Sequence, residues 1–207
     1  MGFGAKKPVS VEVPKLKIEE LEVIVIGTER VVCNRWSEKA KKQMLDKQMG
    51  KAKTKKDPRD PVADYEGSLY PFPGGGYGIP CIAFKKSMVS GCRSVDGLTM
   101  TAARQAFFVV GDLVKIENAE PAMRSDMVRN DDGGADIRFR GEFLAGWRCR
   151  LRIRYNANVI SAQWILLLLS AAGFGVGVLE NRPEKSGDIW GTFRVANEDE
   201  VFDVVAR

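Results

Sequence analysis

Residues 147–156 read Trp-Arg-Cys-Arg-Leu-Arg-Ile-Arg-Tyr-Asn, and such a decapeptide leaves little choice of conformation. At the two-residue period of a strand it separates into two faces. Trp147, Cys149, Leu151, Ile153 and Tyr155 point one way, and Arg148, Arg150, Arg152 and Arg154 point the other. A helical period would scatter the arginines around the axis, so the run commits to a β-strand with one face in a core. Upstream, Ile137-Arg138-Phe139-Arg140 repeats the alternation, and Gly141 and Gly146 bracket a turn between the two runs. Paired as a hairpin, the runs set six arginines on one sheet face. Like charges side by side on a sheet destabilise it unless an anion answers them. That anion is either a set of Asp and Glu side chains on a solvated outer face, or phosphate, whose oxygens suit the planar guanidinium fork. The phosphate-binding reading is favoured.

Composition narrows the chemistry. The 207-residue chain carries a formal charge of +5 and a pI of about 9.0, which leans toward nucleic acid or another polyanion. It contains no histidine. That removes the commonest general base, the commonest zinc ligand and every Ser-His-Asp or Cys-His nucleophile system. Cys33, Cys81, Cys92 and Cys149 show no C-x-x-C spacing, so they read as small buried hydrophobes in a reducing compartment. An apolar fraction of 44% supplies a core for one domain with an insertion. The N-terminus lacks the apolar stretch of a secretory signal, and the greasiest run, Trp164 to Ala172, is too short to span a bilayer. The expectation is a soluble cytoplasmic protein with no membrane partner, no cofactor and no metal.

In chain order, residues 1–17 form a Gly-, Lys- and Pro-rich arm. Leu21 to Gly27 is a buried central strand, continuing toward Val31-Val32-Cys33. Asn34 or Ser37 caps a helix that runs from about Arg35 to Met49, with Trp36 in its first turn and Lys39, Lys41, Lys42 and Lys47 along it. Residues 50–78 read as an insertion. It is basic first (Lys51, Lys53, Lys55, Lys56), then broken by Asp57-Pro58 and Asp60-Pro61, then aromatic and turn-rich through Tyr65, Tyr70, Phe72 and Tyr77. Such a run is either a solvated segment or a finger that orders on nucleic acid. Pro80 opens a second helix, Cys81 to about Val95; Met100 to Ala106 is ambiguous; Phe107 to Val110 is a strand, with Leu113 to Ile116 after a bend. Residues 120–129 read as irregular strand or loop, and Asn130 to Gly134 as a turn. Ser161 caps an apolar helix, Ala162 to Ala172, that Gly173 stops. Val176 to Leu179 and Trp190 to Val195 form a hairpin, and an acidic tail occupies 197–207.

The stretch Gly173-Phe174-Gly175-Val176-Gly177, with Arg182, Lys185, Gly187 and Gly191 downstream, is a second anchor. Its glycines let backbone pass close to a bulky ligand such as a phosphate chain, or else let a helix pack tightly on a strand. The stretch is not a Walker loop: no G-K-[ST] is present, and it follows a helix rather than opening one.

The order strand, helix, strands, helix, glycine-rich turn, strand is that of a ferredoxin-like, RNA-recognition-type α+β fold, an antiparallel sheet with helices on one face. Residues 18–196 form that single domain, with the basic loop segment at about 50–78 inserted. Gly173 to Gly177 through Gly191-Thr192-Phe193-Arg194 resembles the glycine-rich loop of the RAMP superfamily, the RNA-binding subunits of class 1 CRISPR effector complexes. Leu21 to Gly27 followed by Asn34-Arg35-Trp36-Ser37 is similar to the start of the backbone subunit of those complexes. The chain also resembles phage- and prophage-carried proteins in general character. The RAMP resemblance implies subunits that line up along a strand and grip its phosphates.

Together these features point to a non-enzymatic, single-stranded nucleic-acid-binding protein, RNA more than DNA, that multimerises along the strand with other nucleoprotein subunits. Arg138, Arg140, Arg148, Arg150, Arg152 and Arg154 carry phosphate contacts. Lys39, Lys42, Lys51, Lys53, Lys55 and Lys56 form a basic finger, Trp36 and Tyr77 stack bases, and Gly173, Gly175, Gly177, Arg182 and Lys185 complete the grip. A nuclease would need clustered carboxylates, and Asp131, Asp132 and Asp136 are the one tight group in the sequence. A phage structural or interaction protein, including a mimic or inhibitor of a CRISPR subunit, would use the same basic face on an acidic protein.

Overall fold

A computed structural model of the chain describes residues 15–51, 58–129 and 133–202. The elements follow as β1 (Ile18–Gly27), β2 (Val31–Val32), α1 (Glu38–Gln48), α2 (Pro61–Ser68), β3 (Gly78–Pro80) and α3 (Cys81–Gly91). Then come α4 (Met100–Ala106), β4 (Phe107–Val109), β5 (Leu113–Glu117), β6 (Ala122–Arg129), β7 (Ala135–Phe143) and β8 (Arg148–Asn156). The chain ends with α5 (Ala162–Gly175), α6 (Pro183–Ser186), β9 (Phe193–Val195) and α7 (Glu198–Phe202).

The arginine decapeptide becomes β8, the middle of the main sheet, whose order is β3-β5-β8-β1-β9 with β4 also on β8. Every pairing in it is antiparallel. The two crossovers, α3 and α5, lie against each other, and Gly91 brings α3 close to the backbone of Ala172. This is the ferredoxin-like α+β arrangement. Alternation along β8 sends Cys149, Leu151 and Ile153 into the core, together with Val23 and Val25 of β1 and with Phe84, Met88, Ile165 and Leu169 of the helices. Trp147, fully buried, lies where a side chain on Gly27 would stand, and its indole N–H donates to the Glu29 carbonyl at 2.8 Å.

The expected hairpin between the two arginine runs does not form. Both edges of β8 are occupied, by β1 along nine positions from Ile18↔Asn156 to Ile26↔Arg148, and by β4 and β5 on the other side. The run 137–140 lies in β7, inside a separate sheet of order β2-β7-β6. Charge explains the choice. Strand β1 brings Glu20 and Glu22 opposite Arg154 and Arg152, and β6 brings Asp126 opposite Arg138. Pairing β7 with β8 would have set arginine against arginine along the run; the β6–β7 pairing does so once, at Arg124 opposite Arg140, and both of those bond Asp126. Gly141 is therefore not a turn residue but the point in β7 where Leu69 fills the missing side chain.

Other expectations shift as well. Residues 122–129, read as irregular, are the regular strand β6. The segment 50–78 holds a helix, because Asp60 caps α2, accepting from the N–H groups of Val62 and Ala63, and Pro61 sits at its first turn. Helix α5 runs through Gly173 to Gly175. Residues 176–179 do not form a strand; one bond, Val178 N–H to the Gly191 carbonyl at 2.9 Å, joins them to the segment before β9.

Candidate functional site

The face of the main sheet opposite the helices displays Arg148, Arg150, Arg152 and Arg154 in register. Their neighbours on β1 answer them. Arg150 donates to Glu22 at 2.7 Å, Arg152 to Glu20 at 2.9 and 2.8 Å, and Arg154 to the same Glu20 at 3.4 Å. The Arg152 hydrogen bond holds Glu20 below the usual carboxylate range. Exposure separates these four residues. Arg152 and Arg154 keep 56% and 54% of their side-chain surface in solvent. Arg148 is half-buried and donates to the Glu200 carbonyl of α7, whose carboxylate bonds Arg194 of β9 and is held down to about 2 by that contact. Phe108 of β4 stands opposite Arg154 and is 59% exposed. The sequence did not single it out, since Phe107 to Val110 reads there only as a strand.

A second cluster lies beside β7. The chain leaves β2 with the Cys33 N–H on the Gly141 carbonyl at 2.8 Å and the Arg35 N–H on the Ser68 carbonyl at 2.9 Å. Ser37 then caps α1, its Oγ accepting from the Ala40 N–H at 3.2 Å. A cleft of about 220 Å³ opens there, lined among others by Arg35, Trp36, Arg59, Arg138 and Arg140. Arg59 bonds Asp64 at 2.8 Å and Asp136 at 2.5 Å, holds the Asp136 carboxyl below its ordinary range, and stacks over Phe139. Arg140 is buried, so it is not part of an exposed phosphate-binding face. It bonds Asp126 at 2.7 Å and Glu180 at 3.4 Å across the far side of β7. Sequence reasoning placed Trp36, Arg138 and Arg140 in the site but missed Arg35 and Arg59. The signal for Arg35 was its place between a short strand and a capped helix.

The remaining residues divide by surroundings. Lys39 and Lys42 are exposed on α1, a helix none of whose side chains is buried, and Lys51 bonds Asp46 at 2.7 Å. Lys53, Lys55 and Lys56 lie outside the described residues, as do Asp131 and Asp132. Tyr77 does not stand out for stacking on a base; it packs against the core, its ring 6.1 Å from that of Phe143. The glycines serve packing. A side chain on Gly173 would overlap the Phe193 carbonyl, Gly177 has φ +71° and abuts Arg182, Pro183 and Trp190, and only Gly175 faces open space. Arg182 donates to the Leu179 carbonyl and to Glu184, and Lys185 is exposed. All four cysteines are buried thiols, and burial pushes Cys33 up to about 12. Among the described residues no group of three or more side chains is placed to hold a metal, and no helix is long and apolar enough to cross a membrane.

No protein-family model matches the chain, and no curated protein matches it. Among solved structures the chain is similar to Cmr6 from Pyrococcus furiosus, with a TM-score of 0.48 and 9% identity over 88% of this chain and 100% of that one.

Proposed function

We propose that the protein binds single-stranded nucleic acid, without cleaving it, through the exposed Arg152–Arg154 end of the arginine face of its main sheet. The observation that carries this reading is the pair Arg152 and Arg154, more than half exposed and sharing the single carboxylate of Glu20, with Phe108 beside them. Exposed ion pairs are worth about 0.2–1 kcal/mol, so a phosphate displaces Glu20 at small cost and meets a fork with donors to spare. Buried Arg140 offers no such exchange, since parting it from Asp126 and Glu180 would leave its own charge buried and unanswered. A flat aromatic among arginines on an open sheet is the arrangement on which unpaired bases stack.

The test is fluorescence anisotropy of labelled single-stranded RNA and DNA across a salt series, with the Arg152→Gln/Arg154→Gln double variant alongside. Affinity should fall with salt at a slope of about −0.7 per phosphate contact, and the double variant should flatten that slope by about 1.4. Binding that ignores salt, or a double variant equal to wild type, overturns the reading. An unchanged protein that instead captures acidic peptides would move the basic face to protein recognition.

A further inference from the structure

Strands β8 and β9 flank β1, and their registers set Arg148 and Arg194 on either side of Ile26. Directly paired residues share one face of a sheet, so both belong to the arginine face, their backbones about 10 Å apart across β1. A single residue joins them. The Arg148 guanidinium donates to the Glu200 carbonyl at 3.2 Å, and Arg194 donates to the Glu200 carboxylate at 2.7 and 2.5 Å. Helix α7 therefore lies across β1 over Ile26. Burial agrees with that placement. Ile24 and Ile26 point to the arginine face yet are 4% and 7% exposed, whereas Glu22 and Glu20, farther along β1 on the same face, keep 51% and 37% of their side chains in solvent. One end of the face is closed and the other is open.

The element that closes it is acidic and weakly held. Helix α7 begins Glu198-Asp199-Glu200, and its five residues are too few to sustain a helix alone. Its pair with Arg194, a side chain 44% exposed, is a surface contact of the kind that salt weakens. Among the described residues Arg148 bonds no carboxylate and Arg194 bonds none but Glu200; Glu117, opposite Arg148 on β5, pairs with Arg150 at 3.9 Å. Lifting Glu200 away thus frees two guanidinium forks that nothing else on the sheet takes up.

Resting on the nucleic-acid reading, we infer that Arg148 and Arg194 are a further pair of phosphate contacts, held shut by Glu200, and that a bound strand displaces α7 to reach them. The carboxylates of α7 occupy the ground that phosphates take in the complex. Displacement lengthens the binding face from the Arg152–Arg154 end to the whole of β8, about 20 Å from Arg154 to Arg148, and on to β9.

Glu200→Ala and its charge-matched control Glu198→Ala test this in the same anisotropy assay. Thermal melts establish folding, and Glu200→Gln is read instead if Glu200→Ala is unfolded. Releasing Glu200 should tighten oligonucleotide binding about fivefold or more and steepen the salt slope by about 1.4, the gain of two phosphate contacts. Adding Arg148→Gln and Arg194→Gln should remove that gain, and a gain that survives them overturns the assignment of these arginines. Glu198, exposed in the same helix, carries the same charge outside the contact, so Glu198→Ala should stay within about twofold of wild type. If the Glu200 variant binds like wild type, or Glu198→Ala matches it, closure by α7 falls, while the sheet-face reading survives if Arg152→Gln/Arg154→Gln still weakens binding. If wild type binds no oligonucleotide but the Glu200 variant does, the open-end reading falls and closure by α7 stands. If neither binds, both fall.

Discussion

Lys85 sits on the inner side of α3, 9% exposed, with its ammonium donating to the carbonyls of Ala103 and Phe107 and lying over the Phe107 ring. Burial lowers its pKa from 10.5 to about 8. The unfolded chain therefore binds more protons than the fold between those values, and stability gained from this group is complete above 10.5 and lost as pH falls through about 8. Urea midpoints measured from pH 7.5 to 10.5 should rise relative to those of Lys85→Met, and parallel curves would show that Lys85 keeps its ordinary titration. Nothing in the sequence singled this residue out, because a lysine within the helix read from Cys81 to about Val95 shows no partner by its spacing alone. The opposite holds for Cys149, Leu151, Ile153 and Tyr155, whose burial was legible residue by residue from the period of two. What alternation cannot supply is the partner strand, and with it the identity of the charges that answer Arg150, Arg152 and Arg154.

Among elements, α5 and β9 meet at a glycine, and the contact decides what the glycine-rich stretch is for. Gly173→Ala should destabilise the protein by about 1–3 kcal/mol in urea titrations, since its new methyl group must displace the Phe193 backbone. Gly175→Ala, facing open space, should leave both stability and oligonucleotide affinity nearly unchanged. A loss of affinity without loss of stability at either position would restore a ligand role to these glycines. Helix α5, β8 and β1 were readable because each carries one strong period and, in α5, a serine cap. Strand β6 was not. Its two faces mix types, with Arg124 and Asp126 on one and Met123, Ser125 and Met127 on the other, so no clean alternation in hydrophobicity survives. Helix α2 was obscured by the same Asp60-Pro61 step that starts it, a pair equally at home ending a helix or opening one.

For the molecule as a whole, ion pairs dominate the surface chemistry. Glu19, Glu20, Glu38, Asp46, Asp136, Glu184 and Glu200 all have carboxyls held below their ordinary values, each chiefly by a hydrogen bond, and for most of them the donor is a lysine or arginine. Lowered folded-state values mean stability that is present above about pH 4.5 and is lost as pH falls, down to about 2 for Glu200. Melting temperature should accordingly fall on acidification below about 4.5, and fall less at about 1 M salt, where charges more than about 3 Å apart are screened. An acid profile that salt does not alter would assign the loss to buried groups instead. The topology of β1 has one more consequence, for synthesis rather than for equilibrium. Both its neighbours come late, the Glu22–Arg150 contact spanning 128 residues, and β9 follows later still. A chain emerging N-terminus first thus holds Leu21 to Ile26, an apolar strand with two unpaired edges, in waiting until Phe193 to Val195 has been made.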